Sequence, residues 1–387
     1  MTARSNRRYD VAMALTFYRP YVSGLSEAAR LIAEGLARKG LRVAVATTKH
    51  ERSLPRTETI GGVDVFRAPV LTRLNKGTIS PGFIPLVRRL SSISDVLNVH
   101  LPMLEGGIVS RISLAPVVVT YQCDVALSSS VLDRFIVRVM DSSSRMAIRH
   151  AETTVFSSED YRESSRNAPA DSSETESIRP PFVDRSGGKP LYRETKALHV
   201  GFLGRIVAEK GLGWLLNAFA EVADPDARLL VGGEYERVSG GSVIGELRPK
   251  IERDTRVRLL GFIPDERLPD FYASIDVLAL PSVSSLEAYG IVQLEAMSAG
   301  VPVVASDRPG VRVPVRDFGW GMVVPQGDVH ALCEALSSLP HAERAYDMQG
   351  LAARFEKSDP VDAYLRLFEK LRSTKGGKWV ERRAESR

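Results

Sequence analysis

Short apolar runs alternate with longer segments of helical periodicity along most of this chain. Tyr9–Leu15 and Ser274–Leu280 have the length and composition of buried parallel strands. A helical segment follows the first run, and we expect it to begin with Ser26 as its N-cap and to end near Lys39. This alternation of strand and helix predicts an α/β fold built from doubly wound parallel sheets.

The length of 387 residues is more than one hydrophobic core usually supports, so two domains are predicted. Gly, Ser and Pro residues just after position 184 are typical of a linker. The predicted organisation is an N-terminal domain over residues 1–183, a linker over 184–196, a C-terminal domain over 197–358, a terminal helix over 359–374 and a basic tail over 375–387.

The segment Pro281–Gly300 is predicted to place a ligand at the N-terminus of a helix. A strand-like run precedes its loop, and an apolar helix follows. The loop ends at Tyr289 and Gly290, where the missing Cβ of the glycine allows a ligand to approach the backbone. The N–H groups of Gly290, Ile291 and Val292, together with the helix dipole, form a favourable site for a phosphate.

Two glutamates flank this phosphate site, Glu287 in the loop and Glu295 inside the helix. Carboxylates accept hydrogen bonds from hydroxyl groups. A ligand with a central diphosphate and a sugar at each end, a nucleotide sugar, would satisfy this arrangement. The alternative is that both are ordinary solvated glutamates. Glu295 lies between Leu294 and Ala296 in an apolar helix, which favours the functional interpretation.

A second turn between a strand and a helix carries two cations. In Gly204–Gly211, Arg205 follows the strand and Lys210 precedes the helix. Arginine can bind two phosphate oxygens at once and lysine adds a point charge, so the pair suits a diphosphate. Two solvated surface cations are the alternative interpretation. The sequence contains no P-loop, which argues against an ATPase of that class.

Polar residues also follow two apolar runs in the N-terminal half, at His100 and at Gln122 with Asp124. Ligands of open α/β sheets bind outside the carboxyl ends of the strands. We therefore expect these three side chains to contact an acceptor or a sugar. Each could instead be a buried polar group that is satisfied within the fold.

Composition narrows the class of protein. Hydrophobic residues make up 44% and charged residues 26% of the chain, as in ordinary globular proteins, and no apolar run reaches the length of a membrane-spanning helix. Cys123 and Cys333 are far apart, which predicts reduced thiols and a cytoplasmic location. Histidine and cysteine do not cluster at metal-ligand spacings, so no metal is expected.

The charge is distributed unevenly. Residues 1–150 contain 21 Lys and Arg against 11 Asp and Glu, whereas the remainder contains 31 against 36. A basic N-terminal half suits an anionic partner, either a membrane surface, with peripheral attachment to its inner face, or a phosphorylated acceptor. A solvated surface with uneven charge explains the pattern equally well. No nucleic-acid-binding motif is present.

The sequence around the two glutamates, P-S-x4-E-A-Y-G-I-V-x-x-E-A-M-x-A-G-x-P-V-V-A-S, closely resembles the signature of glycosyltransferase family 4, and G-R-x4-K-G resembles its phosphate-binding motif. The resemblance implies the GT-B fold, in which two Rossmann-like domains face each other across a cleft and a C-terminal helix crosses back to the first. It also implies retaining transfer of a sugar from a UDP- or GDP-sugar to a sugar or lipid-linked acceptor. No metal or other cofactor is required, and the expected pathway is glycan, polysaccharide or glycolipid biosynthesis.

The same resemblance assigns roles to individual residues. Glu287, Arg205 and Lys210 are expected to be catalytic, the glutamate at the transferred sugar and the two cations at the leaving diphosphate. Acceptor or sugar contacts are expected from the three residues that end strands, His100, Gln122 and Asp124. Donor contacts are expected from Gly24, Gly204, Gly261, Phe262, Tyr289, Gly290, Ile291, Val292 and Glu295, the last of these at the ribose.

One position departs from the family pattern. Gln122 stands where many members have a histidine that contacts the transferred sugar, and an amide cannot exchange a proton at neutral pH. Two alternatives therefore stay open: another nucleotide-sugar enzyme of this fold, an epimerase or a phosphorylase, or a non-catalytic member of an assembly complex. Asp224-Pro225-Asp226 resembles the metal-binding D-x-D of the other glycosyltransferase fold, but its proline favours a simple turn.

Overall fold

The computed structural model describes residues 8–74, 77–125, 131–171, 174–235, 241–339 and 347–375. The chain divides into two compact units, one formed by residues 1–181 with 358–387 and the other by residues 182–357. Of the basic tail predicted over 375–387, residues 376–387 lie outside the described residues. Each unit has its own sheet and its own core.

The first unit is built around a mostly parallel sheet. Its strands are β1 (Tyr9–Ala14), β2 (Val43–Lys49), β3 (Thr57–Ile60), β4 (Val63–Pro69), β5 (Thr72–Leu74), β6 (Gly77–Ile79), β7 (Ser94–Leu101), β8 (Val117–Tyr121), β9 (Thr153–Phe156) and β10 (Thr175–Ser177). Eight of them form a sheet in the order β10-β9-β8-β7-β1-β2-β4-β3, in which only β3 and β4 are antiparallel neighbours. Its helices before residue 181 are α1 (Gly24–Arg38), α2 (Phe83–Ser92), α3 (Gly106–Arg111), α4 (Val131–Arg149) and α5 (Glu159–Ser164).

The second unit contains a parallel sheet of six strands. These are β11 (His199–Leu203), β12 (Arg228–Gly232), β13 (Val257–Gly261), β14 (Val277–Leu280), β15 (Val303–Ser306) and β16 (Gly321–Val324), in the order β13-β12-β11-β14-β15-β16. The helices are α6 (Leu212–Ala220), α7 (Ile244–Arg253), α8 (Leu268–Ala273), α9 (Ile291–Ser298), α10 (Val313–Phe318), α11 (Val329–Ser338) and α12 (Met348–Lys357). The strands are short and apolar because helices cover both faces of the sheet.

Each sheet has one place where the order of strands reverses. In the first unit this switch point lies between β7 and β1, and in the second it lies between β11 and β14. Ligands of doubly wound sheets bind outside the carboxyl ends of the strands at such a point. In the second unit, the loops that follow β11 and β14 are the two that carry the predicted phosphate-binding residues.

The terminal helix α13 (Pro360–Lys375) belongs to the first unit. Val361 packs against Gly35 of α1 so closely that a Cβ on the glycine would lie 2.6 Å from Cγ2 of the valine. The Tyr364 hydroxyl is buried 3.0 Å from the Thr120 hydroxyl at the end of β8. The return of the C-terminal helix to the first unit matches the GT-B architecture.

Two local predictions differ from the structure. The predicted N-cap Ser26 is wrong: Ser23 caps α1, and the Ser26 side chain accepts from the Ser23 N–H in return. The predicted linker over 184–196 lies within the second unit, where Lys189 N–H donates to Asp270 at 2.9 Å and Tyr192 N–H donates to Ser274 at 3.0 Å. The Gly, Ser and Pro content of residues 184–196 correctly indicated a segment without helix or strand, but it did not indicate that this segment packs against the second unit.

Candidate active site

The loops after β11 and β14 touch through their backbones. Gly211 adopts a φ of 71°, and a Cβ there would lie 1.9 Å from the carbonyl oxygen of Pro281. The Val283 N–H donates to the carbonyl oxygen of Glu209 at 2.9 Å. Only glycine allows so close an approach. The sequence of the first turn thereby fixes the distance between the two predicted binding loops.

Lys210 and Glu287, predicted from separate motifs, are joined by a direct ion pair between the lysine Nζ and the glutamate Oε2. The side chains retain 19% and 15% exposure. The lysine stem passes Gly204, where an added Cβ would lie 3.8 Å from Lys210 Cε. The structure therefore brings together the cation expected at the diphosphate and the carboxylate expected at the transferred sugar.

Arg205 lies in the same turn and is more exposed. Its side chain retains 43% exposure, and its Nη2 donates to Glu209 Oε1 at 2.8 Å. An ion pair at this exposure is worth little in water, so the arginine can exchange its partner at small cost.

Helix α9 begins at the phosphate site that the sequence predicted. Gly290 has φ 80° and ψ 69°, and a Cβ there would lie 2.4 Å from Leu280 Cδ2. The first N–H groups of the helix, including those of Ile291 and Val292, have no intrahelical partner by geometry. The site loop thus needs glycine for backbone conformation and for space.

Gln293 supports this loop and was missed in the sequence. It is fully buried, and its Nε2 donates to the carbonyl oxygens of Tyr289 at 2.8 Å and Val311 at 2.9 Å. A glutamine in the first turn of an otherwise apolar helix was the available signal. Tyr289 itself is only 4% exposed, so its backbone rather than its ring defines the loop.

Glu295 lies deeper than the sequence suggested. It is 8% exposed, its Oε1 accepts from Nε and Nη2 of Arg185 at 3.2 and 3.1 Å, and its Oε2 accepts from the Tyr272 hydroxyl at 3.1 Å. Burial raises the pKa of the carboxyl above its ordinary value, whereas Arg185 and Tyr272 oppose that rise. Arg185 was missed because it lies in the predicted linker.

Gly261 is the last residue of β13 and Phe262 follows it, two strands away from β11 in the sheet. Gly261 has a φ of 69°, and its carbonyl oxygen accepts from the Gly233 N–H at 2.7 Å. The Phe262 side chain is 70% exposed. Both residues therefore lie at the carboxyl-terminal end of β13, where the resemblance implied contacts with the donor.

In the first unit, His100 and Gln122 lie together. Gln122 Nε2 is 3.2 Å from His100 Nδ1 and 3.3 Å from the carbonyl oxygen of Leu25 in α1. Burial lowers the pKa of the fully buried His100 to about 3, so its imidazole is neutral. Gly24, at the start of α1, would have nothing within 4 Å of an added Cβ, so the fold itself does not require glycine there.

Asp124 does not join His100 and Gln122 in the described contacts. It is 4% exposed, and its Oδ1 accepts from the hydroxyls of Tyr121 at 2.6 Å and Ser165 at 2.9 Å. The Asp124 N–H donates to the Tyr161 hydroxyl at 2.7 Å. We expected this carboxylate to be open to an acceptor. It is instead buried, and hydrogen bonds from neighbouring hydroxyls compensate for its loss of contact with water.

Two negative findings apply to the described part of the chain. Across its ranges, His, Cys, Asp and Glu form no group of three or more that could hold a metal ion. None of the helices in those ranges is long and apolar enough to cross a membrane.

Comparison with known proteins identifies the family to which the chain belongs. Residues 197–341 match the family model described as glycosyl transferases group 1, and residues 23–180 match that described as glycosyl transferase 4-like domain. The chain is also 30% identical over 343 residues to the 2-deoxystreptamine N-acetyl-D-glucosaminyltransferase of Streptomyces fradiae, covering 80% of this chain and 76% of that protein. The chain belongs to glycosyltransferase family 4. The resemblance stated from the two motifs is confirmed.

Other members of the family match over a shorter region. The phosphatidyl-myo-inositol mannosyltransferase of Mycobacterium leprae is 35% identical over 185 residues, which is 46% of this chain and 47% of that protein. The chain thus spans about half the length of such curated relatives in these alignments.

Two solved structures share the fold at low sequence identity. Sucrose-phosphate synthase from Thermosynechococcus elongatus aligns with a TM-score of 0.74 at 18% identity, over 95% of this chain and all of that one. Anabaena HepE in complex with UDP aligns with a TM-score of 0.68 at 20% identity, over 94% of this chain and all of that one. The predicted GT-B fold of the family 4 member is confirmed.

Proposed function

We propose that this family 4 member transfers a sugar from a UDP- or GDP-sugar to an acceptor hydroxyl, with retention at the anomeric carbon. The observation that carries the proposal is the Lys210–Glu287 ion pair, which lies between the two loops at the switch point of the second sheet. A cation and a carboxylate, both part-exposed and in direct contact, match a ligand that has phosphate and hydroxyl groups side by side.

We propose that binding of the donor breaks the ion pair between Lys210 and Glu287. A diphosphate that reaches Lys210 competes with Glu287 for the ammonium group and releases the carboxylate to accept from hydroxyls of the sugar. Arg205 can leave Glu209 for the same diphosphate, and the N–H groups at the start of α9 add further donors. These groups stabilise the charge that develops on the leaving diphosphate. No metal is needed in this proposal because the cations supply the charge.

The acceptor proton needs a base, and neither His100 nor Gln122, which lie together in the first unit, is suited to that role. His100 is neutral and buried, with its pKa lowered to about 3, and the amide of Gln122 cannot take a proton. An oxygen of the leaving phosphate can accept the proton on the same face of the sugar, which is compatible with retention. We propose that Gln122 only positions the sugar or the acceptor by hydrogen bonding.

We propose a sugar or lipid-linked acceptor. One relative is named phosphatidyl-myo-inositol mannosyltransferase, which supports a lipid-linked acceptor. Another is named 2-deoxystreptamine N-acetyl-D-glucosaminyltransferase, which supports a small polyhydroxylated ring as acceptor. The Anabaena structure named above contains UDP, which supports a nucleotide diphosphate as the leaving group.

A surface on α4 supports a second proposal, peripheral attachment to the cytoplasmic face of an anionic membrane. Leu132, Phe135 and Val139 are 66%, 63% and 37% exposed, and their spacing places them on one face of the helix. Arg134 and Arg138 are exposed on the same helix, and Arg138 is three positions after Phe135. Exposed apolar side chains next to arginines suit an interface of acyl chains and anionic headgroups.

Vesicle flotation tests the attachment. We expect binding to vesicles that contain phosphatidylglycerol and little binding to pure phosphatidylcholine vesicles. Phe135→Ser should weaken the binding several-fold, whereas Leu191→Ser, which changes a 54% exposed side chain of the second unit, should not. Equal flotation of both variants, or equal binding to neutral and anionic vesicles, would refute the proposal that this face of α4 attaches to an anionic membrane.

A nucleotide panel tests the main proposal. Thermal unfolding with UDP, GDP and ADP should show a rise in Tm for at least one nucleotide, since ligand bound only to the folded state stabilises it by mass action. The matching nucleotide sugars are then incubated with sugar and lipid-linked acceptors. Product that forms only with inorganic phosphate indicates a phosphorylase, and conversion without an acceptor indicates an epimerase. No binding and no turnover would favour the non-catalytic alternative.

A further inference from the structure

Arg185 is a buried arginine in the segment that composition marked as a linker. It is 6% exposed, and its guanidinium connects two acids. Its Nε and Nη2 lie 3.2 and 3.1 Å from Glu295 Oε1, while its Nη2 also lies 2.6 Å from Asp265 Oδ1 and its Nη1 lies 3.2 Å from the Asp265 carbonyl oxygen. A guanidinium so enclosed makes a fixed fork towards Glu295.

The backbone of this segment is fixed to α9, which carries Glu295, and to α8, which directly follows the turn that carries Asp265. The Arg185 N–H donates to Ser298 Oγ at 3.0 Å, and that hydroxyl donates to the Glu295 carbonyl oxygen at 2.7 Å. At Gly188, a Cβ would lie 2.0 Å from the carbonyl oxygen of Pro269 in α8. The segment is therefore held against α8 and α9, and its arginine cannot move far from Glu295.

Tyr272 provides the remaining partner of the carboxylate. Its fully buried hydroxyl lies 3.1 Å from Glu295 Oε2. An ionised carboxylate has about four acceptor positions. Arg185 uses two on Oε1 and Tyr272 uses one on Oε2, which leaves about one acceptor position, on Oε2.

We propose that Arg185 is a positioning residue for the donor ribose: with Tyr272 it fixes the Glu295 carboxylate so that a single acceptor position on Oε2 takes one ribose hydroxyl. This inference rests on the proposed function, because it takes Glu295 as the residue that contacts the ribose. Arg185 itself makes no contact with the nucleotide in this scheme. Its effect is carried through the orientation and charge of Glu295.

The charges around Glu295 predict how the contact changes with pH. Burial raises the pKa of the Glu295 carboxyl, Asp265 adds to the rise, and Arg185 and Tyr272 oppose it. Replacing Arg185 by a neutral side chain removes the cation, so the pKa rises further. The carboxyl then takes up a proton at a higher pH than in the unchanged protein. Lowering the pH should therefore weaken the ribose contact in the variant before it does so in the unchanged protein.

The test compares ribonucleotides with their deoxy counterparts. Binding of UDP, GDP and ADP, and of the 2′-deoxy and 3′-deoxy forms of whichever binds, is measured by calorimetry at about pH 8 and about pH 6. The variants are Arg185→Met, Arg185→Lys, which keeps the charge without the fork, and a matched control, Arg193→Met. Arg193 lies in the same segment and pairs with Asp276 at 2.9 Å.

For the unchanged protein we expect one of the two deoxy forms to bind about tenfold more weakly and the other to bind about as well as the ribonucleotide. In Arg185→Met this ratio should fall to nearly one at the lower pH, with partial recovery at the higher pH and in Arg185→Lys. Arg193→Met should keep the full ratio at both pH values.

The outcomes separate the two proposals. If none of the nucleotides binds, the proposed function is wrong and this inference falls with it. If nucleotides bind but Arg185→Met keeps the same ratio and pH profile as Arg193→Met, only the positioning role is overturned. Equal weakening by both deoxy forms in the unchanged protein would also overturn the single-hydroxyl geometry.

Discussion

In both units, predicted polar side chains lie at the carboxyl ends of the strands, but the two sets of side chains differ in their exposure to solvent. In the first unit, His100 is fully buried and Asp124 is 4% exposed, and each has partners within the unit. In the second unit, the side chains of Lys210 and Glu287 keep 19% and 15% exposure, and that of Arg205 keeps 43%. The second unit also buries one predicted carboxylate, Glu295, against Arg185, but it alone of the two units keeps a predicted ion pair, Lys210 with Glu287, partly exposed.

The chemistry of the side chains explains the difference. A neutral imidazole or an amide can be buried when hydrogen bonds replace its contacts with water, and a single carboxylate can be buried among several hydroxyls. A cation and an anion buried together lose more hydration than their attraction usually returns. Accessible paired charges are thus the stronger indication of a ligand site, and they support the proposal that the donor binds to the second unit.

The largest expected effect comes from removing the cation of that pair. Lys210→Met should lower kcat/KM for the nucleotide sugar about 100-fold to 1,000-fold, because a donor to the developing phosphate charge is lost. Lys250→Met is the matched control in the same unit, since Lys250 lies in α7, outside both binding loops, and its Nζ donates to Asn217 Oδ1 at 2.8 Å. Steady-state kinetics measures both. Retention of full activity in the Lys210 variant would contradict the assignment of the donor site.

The next effect concerns the backbone of the accessible site. Gly290→Ala should destabilise the second unit by about 3 kcal/mol, since the residue has a φ of 80° and the new Cβ would meet Leu280 at 2.4 Å. Gly245→Ala, in α7 with nothing within 4 Å, should be neutral or slightly stabilising. Denaturant midpoints compare the two, and equal stability would show that the α9 loop tolerates a side chain.

A smaller effect is expected on the pH dependence of stability, and it tests whether His100 in the first unit is buried. The His100 pKa is lowered from 6.5 to about 3, so between these values the unfolded chain binds a proton that the folded chain does not. Stability should therefore rise with pH over this range, and acidification to about pH 5 should cost roughly 2 kcal/mol through this residue. His100→Gln should reduce that dependence in denaturant unfolding at about pH 7 and about pH 5. An unchanged slope would mean that the imidazole is not buried as described.

The smallest effect is expected at the acidic turn of the second unit. Asp224 Oδ1 accepts from the Asp226 N–H at 2.8 Å, as in a local turn. Asp224→Asn can keep that hydrogen bond, so transfer activity should change less than about twofold, with or without added Mn²⁺ or a chelator. A large loss that metal restores would instead support a metal-binding D-x-D.

The position of the strand–loop–helix around Pro281–Gly300 could be predicted because its pattern is local. The strand β14 and the helix α9 lie where the apolar runs placed them, and Gly290 has the left-handed backbone that the turn requires. The N-cap of α1 was misplaced by three positions, since Ser23 and Ser26 are both good capping residues and a single sequence does not rank them.

Residues that act from a distance could not be predicted in the same way. Arg185 lies in a segment whose composition is typical of a linker. That segment packs against α8 and α9, and Arg185 therefore contacts Glu295, which lies 110 positions later in the chain. Asn167 is a polar residue among other polar residues of the chain, yet it is 3% exposed and its Nδ2 donates to Asp141 and Tyr121. Pairing of this kind depends on which elements are neighbours in space.

The sequence by itself determined the α/β alternation, the glycines of the two binding turns and the identity of the charged groups beside them, because backbone preference and hydrophobic periodicity act over a few residues. The tertiary structure decided which of those groups meet. Close backbone contact at Gly211 joins Lys210 to Glu287, whereas burial encloses Glu295, His100 and Asp124. Exposure and partner choice are properties of packed neighbours, and long-range packing is what a local pattern does not contain.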